Sequence, residues 1–473
     1  MNSDKTKNNL FMKLGGVCGF LVGVNLGLFA QVKVSCVNLS EGQIYSPKSI
    51  ITQQSNPQTS GKTLNIRVYP DVKYQIMKGI GGAFNEQGGE AYMRLSDNKK
   101  KELSEALFSV ANGAGLTFCR TAIGASDFGL DAYSYSEIPE DYEMKHFSVE
   151  RDKKSVIPFI QDAIKSNPQL TLFASPWSPP GWMKMSGKMD QGKDMQDKNF
   201  LRDEDRVYKA YALYMLKYIN AFSKEGINIE RLLIQNEQDF HTNYPSCRIP
   251  VEQISKYVDG YLAPLFRKEK SSTEIWAGTF RSAGELEFLK FAANKNNRRN
   301  FVGMGIQYMR PNYITEIYQL YPDVKLMHTE STCANGANNI KQALGRFDEV
   351  ANYINGGCDN FCYWNMVLNE EQKSGWGWKQ NSLVTVNRNT QEITYHPDYA
   401  VFLLLGKFIR PGMQRVACTA SGTSMAFVDS NNKLYVFLQN NDKNARKYKY
   451  TDGKNNHEVM LPAESLCVLE INM

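Results

Sequence analysis

Two glutamates close apolar runs of this chain. Glu237 ends LLIQNE in LLIQNEQDF (232–240), and Glu330 ends VKLMHTE in VKLMHTEST (324–332). Two carboxyls flanking one bond can break a glycoside. One stays protonated to help the leaving oxygen depart, and the other stays ionised to attack the anomeric carbon. A separation of about 5 to 5.5 Å goes with retention of configuration. Aromatic residues stand close by in the sequence. Trp177 and Trp182 lie in ASPWSPPGWMK (174–184), and Trp364, Trp376 and Trp378 follow a later apolar run. A sugar offers an apolar C–H face to such rings and hydroxyls to carboxylates and amides. Trp177 and Trp364, at strand ends, read as cleft residues, and Trp376 as packing. In CRTAIGASDFG (119–129), Asp127 either accepts bonds from hydroxyls or pairs with Arg120, and spacing leaves both open.

These residues need elements that bring them together. From 78 to 367 short apolar runs alternate with stretches of helical period, the pattern of βα units around a parallel sheet. The strand candidates are 78–84, 116–124, 170–177, 231–237, 274–281, 301–308, 325–331 and 360–367. Ser96 is placed to cap a helix with Leu103, Leu107, Val110 and Ala111 on one face, stopped by Gly113 and Gly115. A second helix covers 251–270 through Ile254, Val258, Tyr261, Leu262 and Leu265. Eight strands with intervening helices predict an α/β fold, a (β/α)8 TIM barrel over 75–408, with catalytic groups at the carboxyl ends of its strands.

After Pro411 short alternating segments (424–428, 433–438, 445–450, 464–471) replace this pattern. They predict an antiparallel β-sandwich over 409–473. Some sixty residues make a marginal core, so N-terminal strands within 31–74, chiefly 62–68, are expected to complete it.

With 473 residues, 42% hydrophobic and 22% charged, the chain is neither disordered nor limited to one core. Its net charge of +6 is scattered apart from Lys5, Lys7 and Lys13, so nucleic acid is not an expected partner. That basic start runs into LGGVCGFLVGVNLGLFA (14–30), read as an export signal cleaved near Ala30 and Gln31 rather than as a membrane anchor. No later segment is apolar enough to span a bilayer. Lipid attachment at Cys36 is an alternative, weakened by Lys33. The nine cysteines lack paired CxxC spacing, so no metal or cofactor is expected, and Cys119, Cys358, Cys362 and Cys467 read as buried small hydrophobes rather than bridge partners.

Over about 78–416 the chain resembles glycoside hydrolase family 30. The likeness rests on GIGGAF (79–84), RTAIGASDF (120–128), ASPWSPPGWMK, the NE pair at 236–237, YPSC (244–247), TES (329–331), YWN (363–365) and GKFIRPGMQRV (406–416). The resemblance implies that Glu237 is the acid/base, Glu330 the nucleophile, and Asn236 the residue holding the sugar's 2-hydroxyl. It sets Arg120, Asp127, Trp177, Trp364 and Asn381 around the innermost sugar, and Tyr244 near the carboxylates. It implies, too, that N- and C-terminal strands build the sandwich together.

Three departures bear on the substrate. Gln238 stands where the family usually has proline, Gln307-Tyr308-Met309 where acid β-glucosidases have His-Trp-Tyr, and His328 where they have a small residue. By strand alternation His328 shares the face of Glu330 and points into the barrel. The expected activity is that of an exported, glucosylceramidase-like retaining β-glucosidase acting on a β-linked glycoside or glucan, secreted or periplasmic or at the cell surface. The alternatives are an endo-β-1,6-glucanase and, in another class, a carbohydrate-binding protein on an inactive barrel.

Overall fold

The computed structural model describes residues 32–40, 43–54, 63–281, 285–420 and 423–473. The expected export signal and its cleavage point lie outside the described residues.

Three N-terminal strands, β1 (Lys33–Asn38), β2 (Ile51–Gln54) and β3 (Thr63–Ile76), precede eight barrel strands. These are β4 (Gly79–Phe84), β5 (Phe118–Ile123), β6 (Thr171–Pro176), β7 (Ile229–Leu233), β8 (Glu274–Phe280), β9 (Gly303–Gln307), β10 (Lys325–Glu330) and β11 (Asn360–Tyr363). They run parallel in the order β10-β9-β8-β7-β6-β5-β4-β11, and a parallel bridge from Leu326 to Cys358 closes the ring. The expected barrel is therefore present.

Around it lie α1 (Glu86–Met93), α2 (Asp97–Phe108), α3 (Val156–Ser166), α4 (Asp205–Lys224), α5 (Val251–Tyr257), α6 (Ala263–Lys268), α7 (Glu285–Ala293), α8 (Lys295–Arg298), α9 (Pro311–Leu320), α10 (Ile340–Asn355) and α11 (Pro397–Phe408). The helices form because their apolar residues recur on one face. In α4, Val207, Tyr211, Met215, Tyr218 and Phe222 are buried at steps of three and four. A capping box starts α10, where Asn339 and Gln342 satisfy each other's backbone N–H.

One helix reading needs correction and another is refined. Ser96 occupies the N-cap of α2 without a side-chain bond, and Val110 and Ala111 lie beyond its end, exposed. The chain has already turned there: Ala114 N–H bonds to Ala106 O, and a Cβ at Gly113 would meet Glu105 O at 2.1 Å. The helix expected over 251–270 contains a wide turn at Val258–Leu262 between α5 and α6. Ile254, Val258 and Leu262 stay buried, while Tyr261 and Leu265 are only partly covered.

The eighth barrel strand also stops earlier than expected, at Tyr363. Val367 begins a separate small sheet of β12 (Val367–Asn369), β13 (Val384–Val386) and β14 (Ile393–Tyr395).

The C-terminal strands are β15 (Gln414–Cys418), β16 (Ser424–Val428), β17 (Lys433–Asn440), β18 (Arg446–Thr451), β19 (Asn456–Leu461) and β20 (Ser465–Asn472). With β1, β2 and β3 they form one sheet in the order β19-β18-β3-β15-β16-β17-β20-β1-β2. Its pairings are antiparallel except β18 with β3. Val34, Ile66, Val416, Val436, Tyr450 and Leu469 belong to its own apolar core, separate from the barrel's. N- and C-terminal strands thus share one sandwich-like unit, as expected.

The cysteine reading is partly overturned. Cys36 and Cys467 face each other on β1 and β20 and form a disulfide, so Cys467 is a bridge partner and Cys36 has no thiol for a lipid. Cys119, Cys358 and Cys362 are buried and free. Among the described residues no helix is long and apolar enough to cross a membrane.

Candidate active site

The floor of the barrel's carboxyl end is Arg120 on β5, which is fully buried. Its guanidinium donates from Nη1 to Glu330 Oε2 at 2.7 Å and to Thr329 O at 3.0 Å, and from Nη2 to Ser175 Oγ at 2.7 Å and Asn236 Oδ1 at 2.8 Å. Four groups from three strand ends are thereby fixed by one planar cation. Its ion pair is with Glu330, so the alternative of an Arg120–Asp127 pair is not what forms.

Glu237 does not end a strand as expected. β7 stops at Leu233, and the next residues run on between the neighbouring strands, with Asn236 N–H on Pro176 O and Gln235 N–H on Gly278 O. At Glu237 the backbone turns into the left-handed region, φ 47°. A non-glycine residue held there is held by its surroundings, and such positions cluster at functional sites. Thr279 of β8 does part of the holding. Its Oγ1 accepts from Glu237 N–H at 3.0 Å and donates to Asn236 Oδ1 at 3.0 Å.

Glu330 does end β10, but not by simple alternation. The pairing of β10 with β9 slips between His328 and Glu330, which puts an extra residue into β10. His328 consequently faces the helix layer and not the barrel interior, correcting the sequence expectation. Its ring stacks on Phe361 at 3.8 Å, meets Tyr353 of α10 edge-on at 4.3 Å, and accepts at Nδ1 from Cys362 N–H. Burial holds it well below the ordinary histidine pKa, so it is neutral packing.

Between the two carboxylates stands Gln307, the last residue of β9. Thr329 Oγ1 donates to its Oε1 at 2.7 Å, which fixes the amide's orientation. Its Nε2 then lies 3.4 Å from each of Glu237 Oε1, Glu330 Oε2 and Asn236 Oδ1. The two carboxylate oxygens are therefore separated by no more than twice 3.4 Å. That ceiling, set on one oxygen of each carboxyl, admits the roughly 5 to 5.5 Å of a retaining pair. The neighbouring Tyr308, also at positive φ (53°), donates its hydroxyl to Glu330 Oε1 at 2.5 Å.

These surroundings separate the two carboxyls chemically. Burial, then the charge of Glu330, raises Glu237 to about 7, with Arg281 opposing from 3.7 Å. Burial also raises Glu330, but Arg120, the Tyr308 hydroxyl and Gln307 all oppose that rise. Near neutral pH one carboxyl can carry a proton while the other is held ionised.

The remaining expected residues fall in different places. Asp127 lies after β5 with its carboxyl pushed well up by burial and by Glu330 and Glu237, and its Oδ1 is buried without a partner among the described residues. Trp177 and Trp364 stack at 4.8 Å over Arg120, whose guanidinium is 4.4 and 5.4 Å from their rings. Both are buried, so they wall in the cation as well as flank the cleft, and Trp364 Nε1 has no partner there either. Tyr244 donates to Glu237 Oε2 at 3.4 Å and packs against Trp378 at 5.2 Å. Asn381 is not joined to this cluster by any hydrogen bond among the described residues. Its amide serves the α10 entrance, accepting from Asn338 N–H and donating to Gln342. Trp182 bonds to Ser136 O and packs on Tyr142, away from the carboxylates.

Reading the sequence did not single out Ser175, Thr279 or Arg281 as site residues, and marked Gln307 and Tyr308 only as departures. All five lie in, or one residue beyond, a barrel strand's carboxyl end. Attention to every polar residue there would have found them.

A model described as the glycosyl hydrolase family 30 TIM-barrel domain matches residues 77–250. Putative glucosylceramidase 3 of Caenorhabditis elegans is 27% identical over 395 residues, covering 76% of this chain and 72% of that protein. Endo-1,6-beta-D-glucanase BGN16.3 of Trichoderma harzianum is 30% identical over 210 residues, covering 43% of each. The crystal structure of SrfJ from Salmonella typhimurium superposes with a TM-score of 0.82 at 23% identity, over 93% of this chain and all of that one.

Proposed function

The chain belongs to glycoside hydrolase family 30 and is a glycoside hydrolase, and on that footing we propose that it cleaves β-glucosidic bonds with retention, Glu330 acting as nucleophile and Glu237 as acid/base. In the first step a Glu330 oxygen bonds to the anomeric carbon while Glu237 gives its proton to the departing oxygen, so an alcohol leaves and a glycosyl ester remains. In the second, the Glu237 carboxylate takes a proton from water, whose oxygen bonds to the same carbon and expels Glu330. Arg120 and Tyr308 stabilise the ionised nucleophile, and the elevated Glu237 supplies the proton. Asn236, its Oδ1 occupied by Arg120 and Thr279, offers its N–H2 to the sugar's 2-hydroxyl. Asp127 Oδ1 and Trp364 Nε1 are suited to the other hydroxyls.

The reading rests on one observation, the single Gln307 nitrogen within 3.4 Å of both carboxylates. Proton NMR of the sugar first released from an aryl β-glucoside tests it. The β-anomer is expected, and an α-anomer appearing first would refute retention.

The glucosylceramidase-like assignment draws on the C. elegans relative, and the endo-β-1,6-glucanase reading on the T. harzianum one. Chain-length analysis of products from β-1,6-glucan separates them, since internal cleavage yields oligomers before glucose. The presence of both carboxylates with Arg120, Tyr308 and Gln307 set around them argues against the inactive-barrel alternative. Export to an oxidising compartment, periplasm, cell surface or medium, is supported by the Cys36–Cys467 disulfide, and secretion of an epitope-tagged full chain tests it.

A further inference from the structure

A cavity of about 470 Å³ opens between the chain segments that follow β9 and β10 and the outer helix α10. Tyr308, Thr332, Asp348, Glu349, Asn352 and Tyr353 line it. It adjoins the reacting groups through Tyr308, which lines the cavity and bonds through its hydroxyl to Glu330. Thr332, two residues past Glu330, donates its N–H and hydroxyl to Glu349 Oε1 at 3.1 and 3.3 Å. Arg346 in turn bonds through its two terminal nitrogens to Glu349 and to Thr332 O, which ties these three groups together.

Asp348 differs among the carboxylates lining the cavity. Its Oδ1 is buried with no hydrogen-bond partner among the described residues, as is Arg346 Nε, and burial alone lifts the Asp348 carboxyl to about 6. A buried carboxylate oxygen without a donor costs free energy, and a position that keeps one calls for a donor from elsewhere. Sugar hydroxyls are such donors. The volume lies within the roughly 300 to 1,000 Å³ of small-ligand sites. A lipid chain would instead desolvate Asp348, Glu349 and Arg346 without offering any of them a hydrogen bond.

We propose that this cavity is a second sugar subsite, with Asp348 accepting hydroxyls of a neighbouring ring, so that the substrate is a β-linked glucose oligosaccharide rather than a lipid glucoside. The proposal rests on the hydrolysis described above. The two are separable: the unsubstituted protein either cleaves an aryl β-glucoside or it does not, whatever the cavity binds.

The test is titration calorimetry in a Glu237→Gln background, with methyl β-glucoside against glucose disaccharides linked β-1,2, β-1,3, β-1,4 and β-1,6. At least one disaccharide is expected to bind about tenfold more tightly than the methyl glucoside, about 1.4 kcal/mol. Adding Asp348→Ala should erase that gain, and Asp348→Asn should keep part of it. Melting temperatures should not fall in either variant, because nothing is hydrogen-bonded to that oxygen. No gain for any disaccharide, a gain that survives Asp348→Ala, or a lowered melting temperature in both variants would each overturn the subsite.

Discussion

At the scale of single residues, the site works by giving two identical side chains different environments. In the proposed first step Glu237 must be protonated, and a carboxyl raised to about 7 keeps its proton below that pH and loses it above. In the same proposal Glu330 must be ionised, and burial raises it from its ordinary value despite Arg120. The pH profile of kcat/KM should therefore be bell-shaped, with its basic limb falling through about 7 and its optimum on the acid side. A plateau continuing to pH 9 would remove Glu237 from the acid role. Gln307 is neutral, so Gln307→Glu adds a third carboxyl between the other two, and like charge should move the whole bell to higher pH. Gln307→Ala should lower kcat by about 10²-fold through loss of position, with the limbs less displaced. The two glutamates could be found in the sequence because charge interrupts an apolar run. Gln307 and Tyr308 carry no such signal. Their position at the end of an apolar run marks them as candidates, but their role between the two carboxyls shows only once β9 stands beside β10.

At the scale of elements, strand ends place the chemistry, and local irregularity aims it. The counting of βα units located every barrel strand, because each is an apolar run bounded by polar residues. It failed at irregular points. Glu237 lies four residues beyond β7, and the slip in β10 turns His328 outward while Glu330 faces in. Period-two reasoning has no means of seeing an extra residue whose cause is the neighbouring strand. Asp127 depends on a loop held from α1. Glu86 accepts from Leu130 N–H and pairs with Arg151 through both oxygens, which accounts for that glutamate structurally. The aim of Glu330 relies on tight packing at Gly305 of β9, where a Cβ would come within 2.2 Å of Leu233 Cδ2 and 2.8 Å of Thr329 Cγ2. Gly305→Val should thus displace Thr329, the anchor of Gln307. Overpacking of this kind costs about 1 to 3 kcal/mol. Thermal melts should show the loss of stability, and kcat should fall with it. Full activity in a destabilised Gly305→Val protein would contradict the link from Thr329 to Gln307.

At the scale of the whole molecule, the barrel carries the site and the nine-stranded sheet ties the chain's ends together. The changing period after Pro411 made the second unit readable, and its small size implied that N-terminal strands complete it. The bridge between Cys36 and Cys467 was not readable, since 431 residues separate the two and only the β1–β20 pairing makes them neighbours. A cross-link closing so long a loop is worth about 2 to 5 kcal/mol. Cys36→Ser with Cys467→Ser should lower the melting temperature, as should a reductant on the native protein, while kcat/KM at 25 °C stays close to its starting value. A selective loss of kcat would mean that the sheet shapes the cleft. The central claim is that distant strands of this barrel deliver Glu330 as the nucleophile opposite Glu237. Its most direct test is inactivation with a 2-deoxy-2-fluoro-β-glucosyl fluoride, followed by peptide mass spectrometry. One sugar per chain on the peptide containing Glu330 is the expected result. A label on Glu237, Asp127 or any other residue, or hydrolysis of an aryl β-glucoside with no trapped ester at all, would contradict it.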